Sequence, residues 1–393
     1  MKNKKYDYFF SILSALFNVL ILQIVCFPII NKHVDINKFG EILLIFAIVN
    51  SFSLVFGNTL NNIRLVNINK YNKDDFNSFN GFLVIITLIN AILMFITLKY
   101  LHINLFEIIL IIIWSSLLLI KSYYIVEFRI IINFVKILIT TLIYSLSLLF
   151  TLLLIIFFNQ SFYFSFIFSE AFSLLYVLSH TDLIKETFSK NITFKIKRDY
   201  FVLFSSNILN NLINYIDRFV ISFILGKRFI AVFFAATVLG KLSTLLIQPI
   251  SSVILSYGVK EEDEGSVNKF SKTMLINFFL SILITIFIYI LSIPIINILY
   301  PNLLSEAYPI IFFANFGVVI LAVGTIAQSS IMARGKLIEQ FKINLVFLIV
   351  FFAFIYPLTI NFKLLGFSIA LIISSLCKYI SIWYFGKKYF KDR

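Results

Sequence analysis

Charged residues are scarce in this sequence of 393 residues. Asp, Glu, Lys and Arg make up only 13% of the chain, whereas 60% is hydrophobic and 48 residues are Phe. A soluble domain carries about 25% charged residues, so the composition excludes a soluble globular protein and indicates an integral membrane protein. The formal net charge is +14. Because the basic residues lie mainly in short connections between apolar runs, they indicate membrane orientation and not nucleic-acid binding.

Residues that build metal, haem and nucleotide sites are equally sparse. Cys26 and Cys377 lie far apart in apolar segments without CxxC spacing, and the three histidines are scattered, so neither a metal cluster nor a haem-ligand pair is visible. The segment GKLS at 240–243 lacks the upstream glycine of a phosphate-binding loop. The longest predicted outer loop has about ten residues, which is short for the groove of a membrane glycosyltransferase. We therefore expect no metal, no cofactor and no enzymatic activity.

Long apolar windows are abundant instead. A hydrocarbon core about 30 Å thick requires about 20 apolar residues per helix, and the sequence contains twelve such windows. They are residues 9–30, 39–60, 81–101, 104–123, 134–158, 162–180, 201–224, 229–257, 272–297, 308–332, 342–360 and 364–385. The first window lacks a small-residue cleavage site and is interpreted as a retained helix. The predicted fold class is an all-α polytopic membrane protein with about twelve transmembrane helices.

The basic residues predict the orientation of these helices. With both termini in the cytoplasm, the inner segments hold 24 Lys and Arg and the outer connections hold six. A bias of this size is typical of the positive-inside rule. We therefore expect a multi-pass protein of the cytoplasmic membrane with both termini inside the cell.

The two halves of the chain have a similar organisation. In each half, the first two predicted helices are joined by a short outer link, and the second runs into a charged cytoplasmic segment. The longest internal hydrophilic connection divides the chain near its middle. This pattern predicts an N-terminal six-helix lobe at 1–195 and a C-terminal six-helix lobe at 196–393, as in transporters built from repeats.

Polar side chains recur on single faces of several predicted helices. The seventh helix places its polar residues within an arc of about 120°: Asn207, Asn210, Asn211, Asn214, Asp217 and Arg218. Similar stripes occur on the eighth helix (Thr237, Lys241, Thr244, Gln248, Ser252), the second (Asn50, Ser53, Gly57, Asn61, Arg64) and the twelfth (Ser374, Ser375, Lys378, Ser381). Lipid cannot satisfy such groups, so we expect a hydrophilic cavity between two lobes.

Each polar residue also has a structural interpretation. Single Asn and Ser residues in membrane helices often join neighbouring helices by hydrogen bonds. Asp217 and Arg218 could form a structural ion network, and Arg64 could extend its charge to the cytoplasmic surface. Glu170 fits either a proton site or a packed polar cluster with Ser169 and Ser173.

The segment 210–257 resembles polysaccharide exporters of the multidrug/oligosaccharidyl-lipid/polysaccharide (MOP) superfamily, especially Wzx-type O-antigen and capsule repeat-unit flippases. The elements that carry the resemblance are Asn214, Asp217 and Arg218, then Leu225 and Gly226, then 233–236, then 249–253. Further matches are Ala333, Gly335 and Lys336 after the tenth predicted helix, and Gly366 and Ala370 at the start of the twelfth. The specific motifs are confined to the second half of the chain.

The resemblance implies a MATE-like or MOP-like fold and a flippase that works by alternating access in the bacterial inner membrane. Its substrate would be an oligosaccharide on undecaprenyl pyrophosphate, and polymerase and other polysaccharide-assembly proteins would be its partners, besides membrane lipids. The expected cavity residues are Arg218, Lys241, Asn211, Asn214, Gln248, Arg64, Asn61 and Lys378. Asp217 and Glu170 would couple transport to H⁺, Na⁺ or the membrane potential.

Two other functions stay open at this point. A multidrug or cation extruder of the same superfamily would share the fold, but its cavity should be net acidic, whereas the expected cavity residues are net basic. A membrane enzyme of polysaccharide assembly is the second alternative.

Overall fold

A computed structural model describes residues 4–68, 71, 73–186, 193–260, 267–332 and 337–391. The regular structure of these residues is helical, without a β-strand. Helices suit this sequence, because a helix satisfies its backbone hydrogen bonds internally and can therefore cross lipid.

The described helices follow the chain in an order that we label α1 to α12. They are α1 (4–33), α2 (Ile36–Val66), α3 (Lys73–Tyr100), α4 (Leu105–Tyr124), α5 (Phe134–Phe158), α6 (Tyr163–Ser179), α7 (Phe194–Ile224), α8 (Lys227–Lys260), α9 (Val267–Leu299), α10 (Ile311–Met332), α11 (337–362) and α12 (364–391). A short helix, Val126–Ile130, follows α4, and another, Leu304–Ala307, precedes α10. Two π-helical turns interrupt the regular geometry, Ile21–Cys26 in α1 and Asn50–Leu54 in α2.

The predicted helical fold is confirmed. Each of the twelve apolar windows falls on a helix, and eight helical stretches within the described residues are long and apolar enough to cross a membrane. The last two windows lie on α11 and α12, which are separated by a kink at Lys363, where φ is 51° and ψ is −132°. The chain is a multi-pass membrane protein.

The residues group into two compact units. The first contains Met1–His33 and Ile42–Phe219, and the second contains Val34–Glu41 and Val220–Arg393. These groups reflect contacts in one conformation and do not define lobes that move. The predicted lobes 1–195 and 196–393 therefore stay a prediction.

The first unit is held together at one end by an aromatic core between α2, α3, α4 and α7. Phe79 of α3 stacks against Tyr123 of α4 at 6.4 Å, and Phe56 of α2 stacks against Phe204 of α7 at 4.8 Å. Gly57 of α2 lies directly against α4, where a Cβ atom would overlap Ser122. Small residues allow this close approach of membrane helices, and it sets the spacing of the polar side chains beyond it.

The second unit uses one amide side chain to join α8 and α10. The Asn315 amide nitrogen donates to the Ala236 carbonyl at 2.8 Å, and its oxygen accepts from the Gly240 backbone N–H at 3.0 Å. Near the start of α8, Lys227 donates to Glu41 at 2.6 Å. The buried Asn315 side chain is thus paired at both its nitrogen and its oxygen, as an apolar environment requires.

Candidate functional site

The first unit contains a partly open cavity of about 270 Å³, lined by both apolar and polar side chains. Its wall is built by α1, α2, α4, α5, α6 and the short helix Val126–Ile130. The uncharged polar side chains of the wall are Asn18, Asn50, Asn58, Asn61, Ser122, Thr140 and Thr141. The ionisable side chains are Lys121, Arg129, Tyr144 and Glu170. A wall this rich in amides and hydroxyls suits a ligand that forms many hydrogen bonds.

One face of α2 lines the cavity over about 22 Å, the rise of fifteen helical residues. The residues of this face are Phe46, Asn50, Leu54, Asn58 and Asn61. In a regular α-helix, each step of four residues rotates a side chain by about 40° around the axis. The π-helical turn at Asn50–Leu54 has more residues per turn, so it reduces this rotation and keeps the residues on one face.

A buried ion pair lies in the wall of the cavity. Lys121 of α4 lies 2.5 Å from the Glu170 carboxylate of α6, and the two side chains are only 11% and 3% exposed. The Lys121 ammonium also donates to Ser173 Oγ at 3.3 Å and lies 4.4 Å from the centre of the Tyr144 ring. Because the two charges cancel, this section of the cavity is close to neutral.

Arg129 supplies a second cation at the end of the cavity beside Asn61. Its guanidinium donates to Asn61 Oδ1 at 2.6 Å and to Asn62 Oδ1 at 2.8 Å, and Asn61 in turn donates to the Ser122 carbonyl at 2.8 Å. Within the described ranges, no carboxylate forms an ion pair with Arg129. The two amide oxygens orient the guanidinium without neutralising it, so its charge is left for an anionic ligand.

The opposite end of the cavity is aromatic. Trp114 stacks on Phe166 at 4.5 Å and lies 6.0 Å from Phe46. The Trp114 side chain is buried, yet its Nε1–H has no hydrogen-bond partner in the described part of the chain, and the same holds for the buried Oδ1 of Asn18. Both residues line the cavity.

Of the predicted site residues, Asn61 and Glu170 line this cavity, whereas Arg64 does not. Arg64 lies one turn beyond Asn61 and is buried, with its guanidinium bound to both oxygens of Glu186 and to the Tyr123 hydroxyl at 2.8 Å. This bidentate pair joins the end of α2 to the segment that precedes α7.

The predicted polar residues of α7 have mixed environments. Arg218 is buried and donates to the Leu43 carbonyl at 3.0 Å, and its Cζ lies 5.7 Å from the ring of Phe46, which lines the cavity. Asp217 is also buried, Asn211 is partly buried, and Asn214 is exposed. Asp217 and Arg218 are therefore not lipid-facing charges, and their roles in transport stay a prediction.

The remaining predicted residues belong to the second unit. Lys241 of α8 is partly buried, and Lys378 of α12 is buried with its ammonium 5.8 Å from the centre of the Phe347 ring. The side chain of Gln248 lies outside the described residues. Whether these three residues share a cavity with Arg218 stays a prediction.

Lys121, Arg129 and Trp114 were not predicted to be site residues. Lys121 and Arg129 are among the 24 basic residues that were assigned to inner segments, whereas Lys121 is buried within α4. The predicted window 104–123 already contained Lys121, and a lysine inside an apolar window is a signal for a polar interior. In the described residues, no group of three or more His, Cys, Asp or Glu side chains could hold a metal ion.

No protein-family model matches the sequence, and no curated protein matches it at a significant level. Solved structures do match. The lipid II flippase MurJ in an inward closed conformation aligns with a TM-score of 0.76 and 17% identity, over 98% of this chain and 87% of its own. An inward-facing multidrug resistance MATE family transporter of the MOP superfamily aligns with a TM-score of 0.73 and 12% identity, over 96% of both chains.

The chain has the MATE and MurJ fold. A MATE transporter of Vibrio cholerae, VcmN, shows the same likeness, with a TM-score of 0.62 and 14% identity over 99% of this chain and 97% of its own. The expected MOP-type architecture is thereby confirmed. The narrower resemblance to Wzx-type flippases stays a prediction, because identities this low report on the fold and not on the substrate.

Proposed function

We propose that this protein is a flippase that moves an oligosaccharide linked to undecaprenyl pyrophosphate across the bacterial cytoplasmic membrane. The observation that carries the proposal is Arg129, a guanidinium oriented by Asn61 and Asn62 at the end of a polar cavity. The fold supports it, since one protein with this fold is a lipid II flippase. The O-antigen or capsule repeat unit is the substrate that the sequence resemblance favours.

The chemistry of the cavity matches the polar part of such a lipid. A guanidinium binds phosphate oxygens through two parallel hydrogen bonds, which suits Arg129 to the pyrophosphate. The amides of Asn50 and Asn58 and the hydroxyl of Thr140 can exchange hydrogen bonds with sugar hydroxyls. The lipid tail would stay in the bilayer during transport.

Transport would follow alternating access, in which the substrate binds two conformations of the protein with different affinities. The cations Arg218, Lys241 and Lys378 remain candidates for substrate contacts. Glu170 and Asp217 remain candidates for coupling to H⁺, Na⁺ or the membrane potential. Polymerase and other polysaccharide-assembly proteins remain the expected partners.

The alternative functions fit the cavity less well. A cation extruder would need excess negative charge, but the cavity wall carries Lys121 and Arg129 against a single carboxylate, Glu170. An enzyme that cleaves glycosidic bonds would ordinarily use two carboxyl groups. In this wall, Glu170 is already paired with Lys121.

The direct test uses lipid-linked repeat units extracted from a strain that lacks this protein. The repeat units are placed in proteoliposomes, and the sugar exposed on each face is measured by its reaction with membrane-impermeant periodate. We expect the protein to equilibrate the sugar between leaflets, and Arg129→Gln to slow this about tenfold because charge-assisted hydrogen bonds are lost.

Lys185→Gln is the matched control, because it also removes one positive charge, from a side chain that is 80% exposed. It should flip at the rate of the unaltered protein. If proteoliposomes flip the lipid no faster than empty liposomes, the proposed function is wrong. Export of an organic cation by the same vesicles would favour the extruder.

A further inference from the structure

We propose that the section of the first-unit cavity around Trp114, Asn18 and Asn50 is a subsite for one neutral sugar ring. This inference rests on the proposed function and specifies which part of the substrate the section binds. Phe46 connects two of these residues, since it lies 6.0 Å from Trp114 and its carbonyl accepts from Asn50 at 2.8 Å, and Asn18 lines the same cavity.

The unpartnered groups of the subsite favour a ligand that both donates and accepts hydrogen bonds. The buried Nε1–H of Trp114 is a donor without an acceptor, and the buried Oδ1 of Asn18 is an acceptor without a donor, within the described part of the chain. Asn50 donates to the Phe46 carbonyl at 2.8 Å, which leaves its side-chain oxygen able to accept. Buried polar groups are rarely left without a partner. A hydroxyl group can accept a hydrogen bond from a donor such as the Trp114 Nε1–H and donate one to an acceptor such as the Asn18 Oδ1.

The charges of the cavity argue for a neutral ligand at this position. Lys121 and Glu170 are paired with each other at 2.5 Å, so they offer no net charge to the subsite. The un-neutralised cation, Arg129, is bound to Asn61, which is about 16 Å along α2 from Asn50 by helical rise. One ligand reaches both places only if it is extended, as an oligosaccharide on a pyrophosphate is.

Size and shape suit this section of the cavity to a single ring of the ligand. The whole cavity is about 270 Å³, slightly below the roughly 300 to 1,000 Å³ of pockets for drug-sized ligands. Phe46 and Trp114 present aromatic surface beside the amides. An aromatic side chain offers a large apolar surface, which complements the C–H face of a pyranose while the amides meet its hydroxyls.

The protein allows a direct spectroscopic test, because it has two tryptophans, Trp114 and Trp383. Trp383 lies in the second unit, where its Nε1–H donates to Ser271 at 3.3 Å. Trp383→Phe therefore leaves Trp114 as the single reporter of the cavity. The purified variant is titrated with glucose, galactose, N-acetylglucosamine and rhamnose, and with the acyclic polyol mannitol. We expect a saturable change in Trp114 fluorescence with at least one pyranose and none with mannitol.

Variants in the Trp383→Phe background test the residues of the subsite. Asn18→Leu should weaken sugar binding about tenfold, since it removes one hydrogen bond to a buried group. Asn361→Leu is the control, because Asn361 is exposed in the second unit and its loss should leave the affinity unchanged. The reciprocal protein, Trp114→Phe with Trp383 retained, should show no sugar-dependent signal.

The subsite is overturned if none of the four pyranoses changes Trp114 fluorescence, or if Asn18→Leu binds sugar as well as its parent. The cavity then holds water. The flipping assay separates this failure from failure of the proposed function. If the protein flips the lipid but does not bind sugar, only the subsite proposal is wrong. If it binds sugar but does not flip the lipid, the flippase proposal is wrong and the subsite proposal stands.

Discussion

At the scale of single residues, the Lys121–Glu170 pair places two opposite charges in the buried interior of the first unit. Both charges are withdrawn from water, and the ammonium has one further hydrogen bond, to Ser173, and the face of Tyr144. In such an environment a charge costs several kcal/mol unless it is paired. Each charged side chain is therefore stable in this buried position only while its partner is present.

Removing one partner should destabilise the protein much more than removing both. We expect Lys121→Met to lower the free energy of unfolding by about 3 kcal/mol because it leaves Glu170 buried and unpaired. The double variant Lys121→Met with Glu170→Leu should recover most of that loss. Thermal unfolding of the purified variants in detergent measures both effects.

The control for this comparison is the surface pair Lys185–Asp182, whose side chains are 80% and 79% exposed. Lys185→Met should leave the unfolding temperature unchanged, because exposed ion pairs contribute little. If the double variant of the buried pair is as unstable as Lys121→Met alone, packing and not charge pairing explains the effect.

At the scale of elements, the contact between α2 and α4 fixes the width of the cavity. Gly57 faces Ser122 and the Leu119 carbonyl, and any Cβ atom at position 57 would overlap them. The cavity residues Asn58 and Asn61 follow Gly57 on α2, and Leu118 and Lys121 come from the facing part of α4. A separation of the two helices would therefore displace both walls.

Gly57→Ala should lower the free energy of unfolding by about 2 kcal/mol, since overpacking a close helix contact forces the helices apart. Gly324→Ala in α10 is the matched control. An added Cβ there meets only ordinary contacts at 3.4 and 3.5 Å, so the better helix propensity of alanine should stabilise it slightly. Thermal unfolding of the two variants should shift in opposite directions. Equal shifts would show that Gly57 is not a tight contact.

The elements were largely predictable from the sequence, whereas the cavity was not. An apolar window reports the length of a helix, because lipid imposes that length locally. The polar stripe on α7 was predictable in the same way from helical periodicity. The partner of Arg218, by contrast, is the backbone carbonyl of Leu43, and any residue could supply it. In the sequence, Trp114 is one more apolar residue of its window, and only the fold shows that it lies beside Phe46 in the wall of a cavity.

At the scale of the whole molecule, the fold and the site depend on different features of the sequence. Proteins that share only 12% or 17% of residues with this chain have the same fold, because many different apolar residues satisfy the requirements of a membrane-spanning helix. The charges of the cavity depend on a few residues, such as Arg129 and Glu170. Substrate specificity can therefore change without a change of architecture.

The predicted orientation of the molecule rests on the basic residues of the same connections and leads to a final prediction. In a protein with Cys26→Ala and Cys377→Ala, Gln160→Cys and Asp182→Cys place single thiols at exposed positions beyond opposite ends of α6. The positive-inside rule puts position 182, in a segment rich in Lys and Arg, in the cytoplasm. A membrane-impermeant maleimide should label Gln160→Cys in intact cells and Asp182→Cys only after permeabilisation. The reverse pattern would place both termini outside. The proposed pyrophosphate site at Arg129 would then face away from the side on which lipid-linked sugars are proposed to enter.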